Sequence, residues 1–361
     1  MRLSKIKALV TILLVLMSIM LTSCTSINQG DISTSGSANE VNENNNLIVH
    51  FIDVGQADSI LIELPNGETS LIDGGNRQDA ELVVNYIKDL NIKEIDYLIA
   101  THPHEDHIGG LPDVVREFKI GKIYMPRKSS NTKIYENLLK EIKNKGLKIT
   151  TARGGQKIID VDKLKFTIIA PNSKKYDETN EYSIVNKLTY KNTSFLFTGD
   201  AEKDSEDEML KLGYDLSADV LKVGHHGGRT STNVEFLKRV NPKYAVISAG
   251  KGNDYGHPHK EVIERLQDRN IVIFRTDVHG TIKAISDGDN IKFNKNVKSD
   301  NYQNEDVVKN NNDIYYIGNK RSKVYHSPSC KNLPKLENRI IFKTKEEAEN
   351  KGYRPHKTCV D

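Results

Sequence analysis

Apolar positions along this chain follow two periods. The segments LIVHFIDV (47–54), DSILIELP (58–65), TSLIDGG (69–75) and IDYLIATH (95–102) are rich in β-branched and aromatic residues and bounded by Gly, Pro, Asp or His, which predicts strands. KLKFTIIAP, SIVNKLTY, TSFLFTGD and ADVLKVGHHGG repeat the pattern downstream. Helical spacing appears over 80–90, in IGGLPDVVREF, after Ala201 and from about Ser231. The recurring order is strand, polar loop, helix. Many apolar strands and several amphipathic helices must be covered together, which predicts an α/β chain with two β-sheets packed face to face and helices outside. A doubly wound parallel sheet fits the composition comparably, although no glycine-rich dinucleotide loop stands at the first strand-to-helix junction.

Both ends depart from this pattern. Residues 1–23 carry Arg2, Lys5 and Lys7 ahead of an apolar run over 8–21 and close in Leu-Thr-Ser before Cys24, the form of a signal peptide. The run is short for a spanning helix, which needs roughly 20 residues. The Leu-Thr-Ser-Cys ending resembles the lipobox of bacterial lipoproteins, which implies that Cys24 is lipid-modified and that the body is held at the extracytoplasmic face of a membrane. Residues 24–46, rich in Ser, Thr, Asn, Gly and Glu, read as a disordered tether. A second polar stretch, 295–313, reads as a linker between a large domain at 47–294 and a small module at 314–361.

Charge changes this picture little. The chain holds 52 Lys and Arg against 49 Asp and Glu, and three of the basic residues lie in the signal, so bulk electrostatics selects no nucleic-acid partner. Of the three cysteines, Cys24 belongs to the anchor and Cys330 and Cys359 lie near the C-terminus, so the core is not a disulfide framework.

The chemistry concentrates in His102-Pro103-His104-Glu105-Asp106-His107, a strand-to-helix loop crowded with imidazole and carboxylate groups that suit borderline divalent metals. Asp73, Asp200 and the pair His225 and His226 stand at the ends of other predicted strands, and strands sharing an edge would bring them together. A serine nucleophile is not indicated, because no Gly-x-Ser-x-Gly turn occurs, and no Walker loop is present.

The order LIDGG, THPHEDHIGG, LFTGD, LKVGHHGG resembles the metallo-β-lactamase superfamily, and most closely the hydrolase domain of the ComEC competence proteins, over roughly 47–290. DVGQADSILIELP, NEYSIVNKLTY, YGHPHKEVIERL and FRTDVHGTI resemble blocks recurring in that branch. The resemblance implies an αββα sandwich. It places His102 and His104 on one metal, Asp106 and His107 on the other and Asp200 between them. His225 or His226 completes the second site, and Asp73 lies beneath, orienting a ligand. One or two Zn²⁺ ions, or Mn²⁺, would activate a water. Asp106 would help to orient that water, and His257 and His259 are candidates for substrate contact or proton transfer, with loop or helix-cap roles equally open. Two departures stand out. No histidine lies anywhere from Ile108 to Gly224, where many superfamily enzymes place another ligand, and His102, His104, Asp106 and His107 keep the full superfamily pattern that the competence branch often has substituted; Gly228 also stands where that branch often has serine after HHG.

The terminal module pairs His326 with Cys330 and His356 with Cys359 around a helix predicted near 345–351, four ligands suited to one structural zinc. It resembles the metal-binding module of the Ada DNA-repair protein, with His326 and His356 in place of two cysteines. A disulfide between Cys330 and Cys359 is the alternative in an oxidising compartment. Its eleven Lys or Arg against five Asp or Glu allow a basic face.

The expected function is a metal-dependent hydrolase, with a phosphodiester, extracellular DNA in particular, as leading substrate. Choline-phosphate or another envelope ester is the alternative, a lactam or lactone ranks lower, and a noncatalytic DNA-binding lipoprotein is the reading from a different class.

Overall fold

Side chains on successive residues of a strand point to opposite faces, and that alternation sorts the core of this chain into layers. The computed structural model describes residues 46–297, 316–327, 330, 333–334, 338–342, 344–357 and 359–360. The signal, Cys24, the tether up to 45 and residues 298–313 of the linker lie outside them.

The large domain begins with β1 (Leu47–Phe51), β2 (Ile60–Glu63), β3 (Thr69–Ile72), helix α1 (Ala80–Asp89) and β4 (Glu94–Ile99). Two short helices, α2 (Glu105–Ile108) and α3 (Leu111–Glu117), lead to β5 (Lys119–Met125), α4 (Lys133–Asn144) and β6 (Ile149–Thr151). The second half holds β7 (Lys157–Val161), β8 (Leu164–Ala170), β9 (Val185–Tyr190), β10 (Thr193–Phe197), α5 (Lys203–Lys211), β11 (Val220–Lys222) and α6 (Val234–Val240). It continues with β12 (Tyr244–Ile247), α7 (Lys260–Gln267), β13 (Val272–Arg275), α8 (Thr276–His279), β14 (Ile282–Ser286) and β15 (Ile291–Phe293).

These strands make two sheets, ordered β15-β14-β1-β2-β3-β4-β5-β6 and β13-β12-β11-β10-β9-β8-β7. Leu47, Val49 and Phe51, Ile60 and Ile62, Phe195 and Phe197, and Val246 meet in one core between the sheets. Their alternates face outward. Leu61 packs with Val83, Val114 and Leu138 of α1, α3 and α4, and Leu196, Ala245 and Ile247 pack with Met209, Phe236 and Leu266 of α5, α6 and α7. The result is an αββα sandwich, not the single doubly wound sheet that composition also allowed.

Strand direction positions the chemistry. β3 runs parallel to β4, and β10, β11 and β12 run parallel to one another, so their C-terminal ends reach the same edge of each sheet. The helix expected directly after the histidine cluster is split in two at Gly109-Gly110. A Cβ at Gly109 would stand 2.2 Å from Arg77 N, and one at Gly110 2.2 Å from Gly74 O, so these glycines let the loop lie on the backbone after β3. The helix expected from Ser231 starts at Val234, where the Asn233 side chain accepts from Phe236 N. Helix α4 gave little sequence signal because only Leu138 and Ile142 are buried along it.

The C-terminal module has its own sheet, β18-β16-β17-β19, from β16 (Tyr316–Asn319), β17 (Val324–His326), β18 (Arg339–Phe342) and β19 (Arg354–Pro355), with helix α9 at Lys345–Asn350. Its core is Tyr316, Tyr325, Phe342, Ala348, Tyr353 and Val360, small for independent stability. Among the described residues no helix is long and apolar enough to cross a membrane.

Candidate metal centre

The loop after β4 is anchored from below. Asp73, fully buried at the end of β3, accepts Thr101 N at 2.8 Å and Thr101 Oγ1 at 2.6 Å, and its Oδ2 lies 2.7 Å from His107 Nδ1. Because the Thr101 hydroxyl proton is given to Asp73, its oxygen accepts from His102 Nδ1 at 3.1 Å. His226 Nδ1 lies 3.0 Å from the Ser248 carbonyl, which can only accept. In all three rings Nδ1 therefore carries the proton, and the Nε2 lone pair is left for a ligand bond.

Those three Nε2 atoms converge on Asp200. Its Oδ2 lies 3.2 Å from His107, 3.6 Å from His226 and 3.9 Å from His102, while Asp106 Oδ2 is 3.2 Å from His226 Nε2 and 3.8 Å from His107 Nε2. His104 Nδ1 stands 3.0 Å from His102 Nε2. Ligand bonds of about 2.0–2.1 Å at tetrahedral angles separate N and O ligands by about 3.4 Å, close to these spacings. His107 Nε2 and Asp200 Oδ1 are buried without a hydrogen-bond partner, the near contact of His107 with Asp200 being misaligned. Buried polar atoms are rarely left so, and a cation among them satisfies both. The residues present fit a metal.

Without a cation, protons take its place. Burial disfavours charge on His226, but Asp200 and Asp58, with a hydrogen bond to Asp106, outweigh it and hold the imidazole up to about 10. His107 is held well above its ordinary range against the same burial by Asp200, Asp106 and Asp73. Burial likewise opposes ionisation of Asp106 and Asp200, yet His107 and His226 bring Asp106 down to about 2 and Asp200 well below its ordinary value. A cation must therefore displace protons, and its affinity rises with pH. Mn²⁺ titrations from roughly pH 6 to 8.5, around the ordinary imidazole value, should show tightening binding and proton release in calorimetry across buffers of different ionisation enthalpy. A flat affinity with no proton release would contradict this account. Stability of the metal-free chain has the opposite sign, since the gain from His226 is full below its ordinary value of 6.5 and fades as pH rises through about 10.

The two histidines after β11 part company. Both lie in left-handed backbone, φ 48° at His225 and 54° at His226, and only His226 turns into the buried group. His225 stands at the rim, its Nδ1 2.7 Å from Glu202 Oε1 and its Nε2 3.5 Å from Asn180 Nδ2 and 4.0 Å from Asp200 Oδ2. His257 lies beside it, ring centres 5.3 Å apart, and Tyr255 stacks on His257 at 5.7 Å. His259 occupies the N-cap of α7 without a side-chain capping bond. Ser183 Oγ accepts from Asp200 N at 3.1 Å and lies 3.3 Å from His102 Nδ1.

In the module, His326 Nδ1 is 3.4 Å from Cys330 Sγ and 3.9 Å from Cys359 Sγ, and His356 Nδ1 is 3.6 Å and 3.2 Å from the same two sulfurs. Tetrahedral zinc with bonds of about 2.3 Å to S and 2.0 Å to N spaces such atoms by about 3.6 Å. The two cysteines are not bonded to each other. One zinc per module should shield both thiols from alkylation in the full chain until a chelator is added. Intact mass showing a Cys330–Cys359 bond in freshly prepared protein would favour the disulfide instead.

The family model of the metallo-beta-lactamase superfamily matches residues 52–251. The chain belongs to that superfamily. A second model, the metal binding domain of Ada, matches residues 299–361 and so begins inside the stretch expected as a linker. ComE operon protein 3 of Bacillus subtilis is 32% identical over 252 residues, covering 65% of this chain and 32% of that protein. Competence protein ComA of Neisseria gonorrhoeae is 30% identical over 241 residues, covering 66% of this chain and 32% of that protein. These relatives place the chain in the ComEC-like branch, and it spans about a third of their length. Igni18, a metallo hydrolase from the archaeon Ignicoccus hospitalis, aligns at 17% identity and a TM-score of 0.43 over 65% of this chain and 98% of its own. Like its superfamily, the chain is a metal-dependent hydrolase.

Sequence reasoning passed over several residues of this metallo-β-lactamase site. Asp58 and Lys222 form a fully buried ion pair at 2.8 Å, and Asp58 Oδ1 lies 3.4 Å from His226 Nδ1. Gln56 holds His257, and Glu202 faces His225. One signal was available. A lysine inside the apolar strand VLKV needs a buried anion, and DVGQADS supplies one.

Proposed function

We propose that this chain is an extracytoplasmic phosphodiesterase acting on DNA. The observation that carries the reading is the convergence of the His107 and His226 imidazoles and the Asp106 and Asp200 carboxylates on one buried point, with His102 Nε2 3.9 Å from Asp200 Oδ2 beside it, a donor set suited to two cations. His102 and His104 would hold one, Asp106, His107 and His226 the other, with Asp200 between. When bound, such cations supply an activated water and offset the charge developing on a phosphoryl oxygen. The resemblances to competence proteins and to the metal-binding module of a DNA-repair protein favour DNA as the diester.

His257 is arranged to hold a proton. Gln56 Oε1 accepts Gly250 N at 3.0 Å, which orients the amide so that Gln56 Nε2 donates to His257 Nδ1 at 3.3 Å. The ring proton is then on Nε2, available to a phosphoryl or leaving oxygen. Burial, with His225 and His226 nearby, brings its pKa down to about 4, so the ring is neutral at pH 7. His257→Gln should lower kcat by about 100-fold, the low end for acid–base groups, with metal content unchanged. A change below threefold would leave His257 a loop residue.

A second reading has its own support. A cavity of about 610 Å³ beside Asp106 is lined by Asp53, Asp79, Glu105 and Tyr255, an acidic and aromatic surface that suits a cationic headgroup such as choline. The deciding assay compares single- and double-stranded DNA, RNA, a bis-aryl phosphodiester and choline-phosphate esters with Zn²⁺ or Mn²⁺. DNA cleavage lost in folded Asp106→Ala protein supports the first reading. Choline-phosphate release without DNA cleavage replaces it, and metal binding without turnover of any substrate leaves a binding role.

Membrane attachment through Cys24 completes the proposal, supported by the order of basic, apolar and cysteine residues over 1–24. Cys24→Ala should move folded protein out of the membrane fraction, and unchanged fatty-acid labelling in that variant would refute the anchor.

A further inference from the structure

Two cavities open from the metal centre, and their chemistry is opposed. The one beside Asp106 is lined by the carboxylates of Asp53, Asp79 and Glu105. The other, about 620 Å³, opens over His104 and is lined by Lys128, Ser129, Ser130, Asn131 and Thr132, with Glu105 at the rim shared by both. We propose that the cavity over His104 is a subsite for a phosphate adjoining the scissile one, with Lys128 as its counter-charge. The proposal rests on the phosphodiester reading above and specifies the substrate as a chain of phosphates, not an isolated diester.

Three observations carry it. Lys128 is half-buried, with its ammonium 4.8 Å from the centre of the Tyr182 ring and no ion pair to it among the described residues. A lysine held against an aromatic face with no acidic partner is a compact cation available to a ligand. Tyr182 precedes Ser183, which contacts His102, so Lys128 is placed on the side of the centre that carries His102 and His104. In the loop beyond Lys128 the Ser130 hydroxyl donates to Thr132 Oγ1 at 3.1 Å and accepts Thr132 N at 3.3 Å, while Thr132 Oγ1 caps α4 by accepting Tyr135 N, which fixes the loop and leaves the Ser129 and Thr132 hydroxyls and the Asn131 amide to donate. Hydroxyl and amide donors around one lysine are the usual means of holding a backbone phosphate without reading sequence. The acidic cavity opposite repels a polyanion, so a strand leaving the scissile bond is directed along Lys128. The volume fits a ligand of nucleotide size.

The test uses the full chain and separates binding from turnover. Binding of a fluorescein-labelled dodecathymidylate is followed by anisotropy without metal, over a range of NaCl concentrations. Turnover with Mn²⁺ is measured on the same oligonucleotide and on bis(p-nitrophenyl) phosphate, which has no second phosphate. Lys128→Ala should weaken oligonucleotide binding about tenfold and reduce the log–log salt slope by about 0.7, as expected for one lost single-strand phosphate contact. It should lower kcat/KM at least ten times more for the oligonucleotide than for the small diester, and Lys128→Arg should restore most of both. Equal losses on the two diesters, or binding and salt slope unchanged in Lys128→Ala, would overturn the subsite while leaving the phosphodiesterase reading intact. Lys128-dependent binding with no turnover would leave a phosphate site at Lys128 but remove both the phosphodiesterase and the placement of that site beside a scissile bond. A wild-type chain that neither binds nor cleaves the oligonucleotide would end both.

Discussion

Asp200→Ala is expected to lower kcat/KM by about three orders of magnitude on whichever substrate the wild-type chain hydrolyses, without unfolding the domain. Among the described residues, Asp200 Oδ2 lies within 4.0 Å of Nε2 of four histidines, His102, His107, His225 and His226. It would be a principal ligand of any cation held there, and metal assistance is worth several kcal/mol of transition-state stabilisation. At about 1.36 kcal/mol per tenfold, several kcal/mol is the stated loss. The fold should survive, because Asp200 is a principal cause of the raised pKa values of His107 and His226. Without it those rings become neutral more easily, and Asp106, Asp73 and Asp58 still offset any charge they keep. Metal content, melting temperature and kcat/KM measured on one preparation check each step. A folded variant that keeps turnover within tenfold of wild type would remove Asp200 from the centre.

Lys222→Met is expected to have the largest effect on stability. Lys222 is fully buried on β11, paired to Asp58 at 2.8 Å and donating to the Val223 carbonyl at 3.0 Å. Burial would raise the Asp58 carboxyl, yet Lys222, with help from His226, holds it far below its ordinary value. Removing one partner of a buried pair leaves an uncompensated charge and costs about 3–5 kcal/mol. For a domain of this size each kcal/mol moves Tm by about 2–4 °C, so a fall of roughly 10 °C follows. Asp58→Asn combined with Lys222→Met should recover part of it, because no bare carboxylate remains. A Tm within 2 °C of wild type in the single variant would show that the Lys222–Asp58 pair does not support the fold. The lowered pKa of Asp58 contributes to acid sensitivity too, its stabilisation being present above the ordinary carboxylate range and lost as pH falls towards its folded value.

The elements and chemistry legible in the amino-acid sequence were those that repeat or cluster locally. Alternation in LIVHF and TSFLF was enough for β1 and β10, because the period of a strand is a property of its own backbone. The histidine loop over 102–107 and the two pairs at His326, Cys330, His356 and Cys359 were visible because their donor atoms lie close along the chain. Helix α4 and the four-residue strands β12 and β13 were not read, since a polar helix or a short buried run has too few residues to show its period. The choice of His226 over His225 was closed to sequence, because both occupy left-handed backbone and the Ser248 carbonyl that orients His226 comes from a distant segment. The Asp58–Lys222 pair, the grip of Gln56 on His257 and the opposed polarity of the two cavities exist only once two sheets stack and their loop-bearing edges meet. Periodicity is set by neighbours a few residues away, whereas ion pairs, tautomers and cavities are set by groups that only the packed sheets bring within a few ångströms.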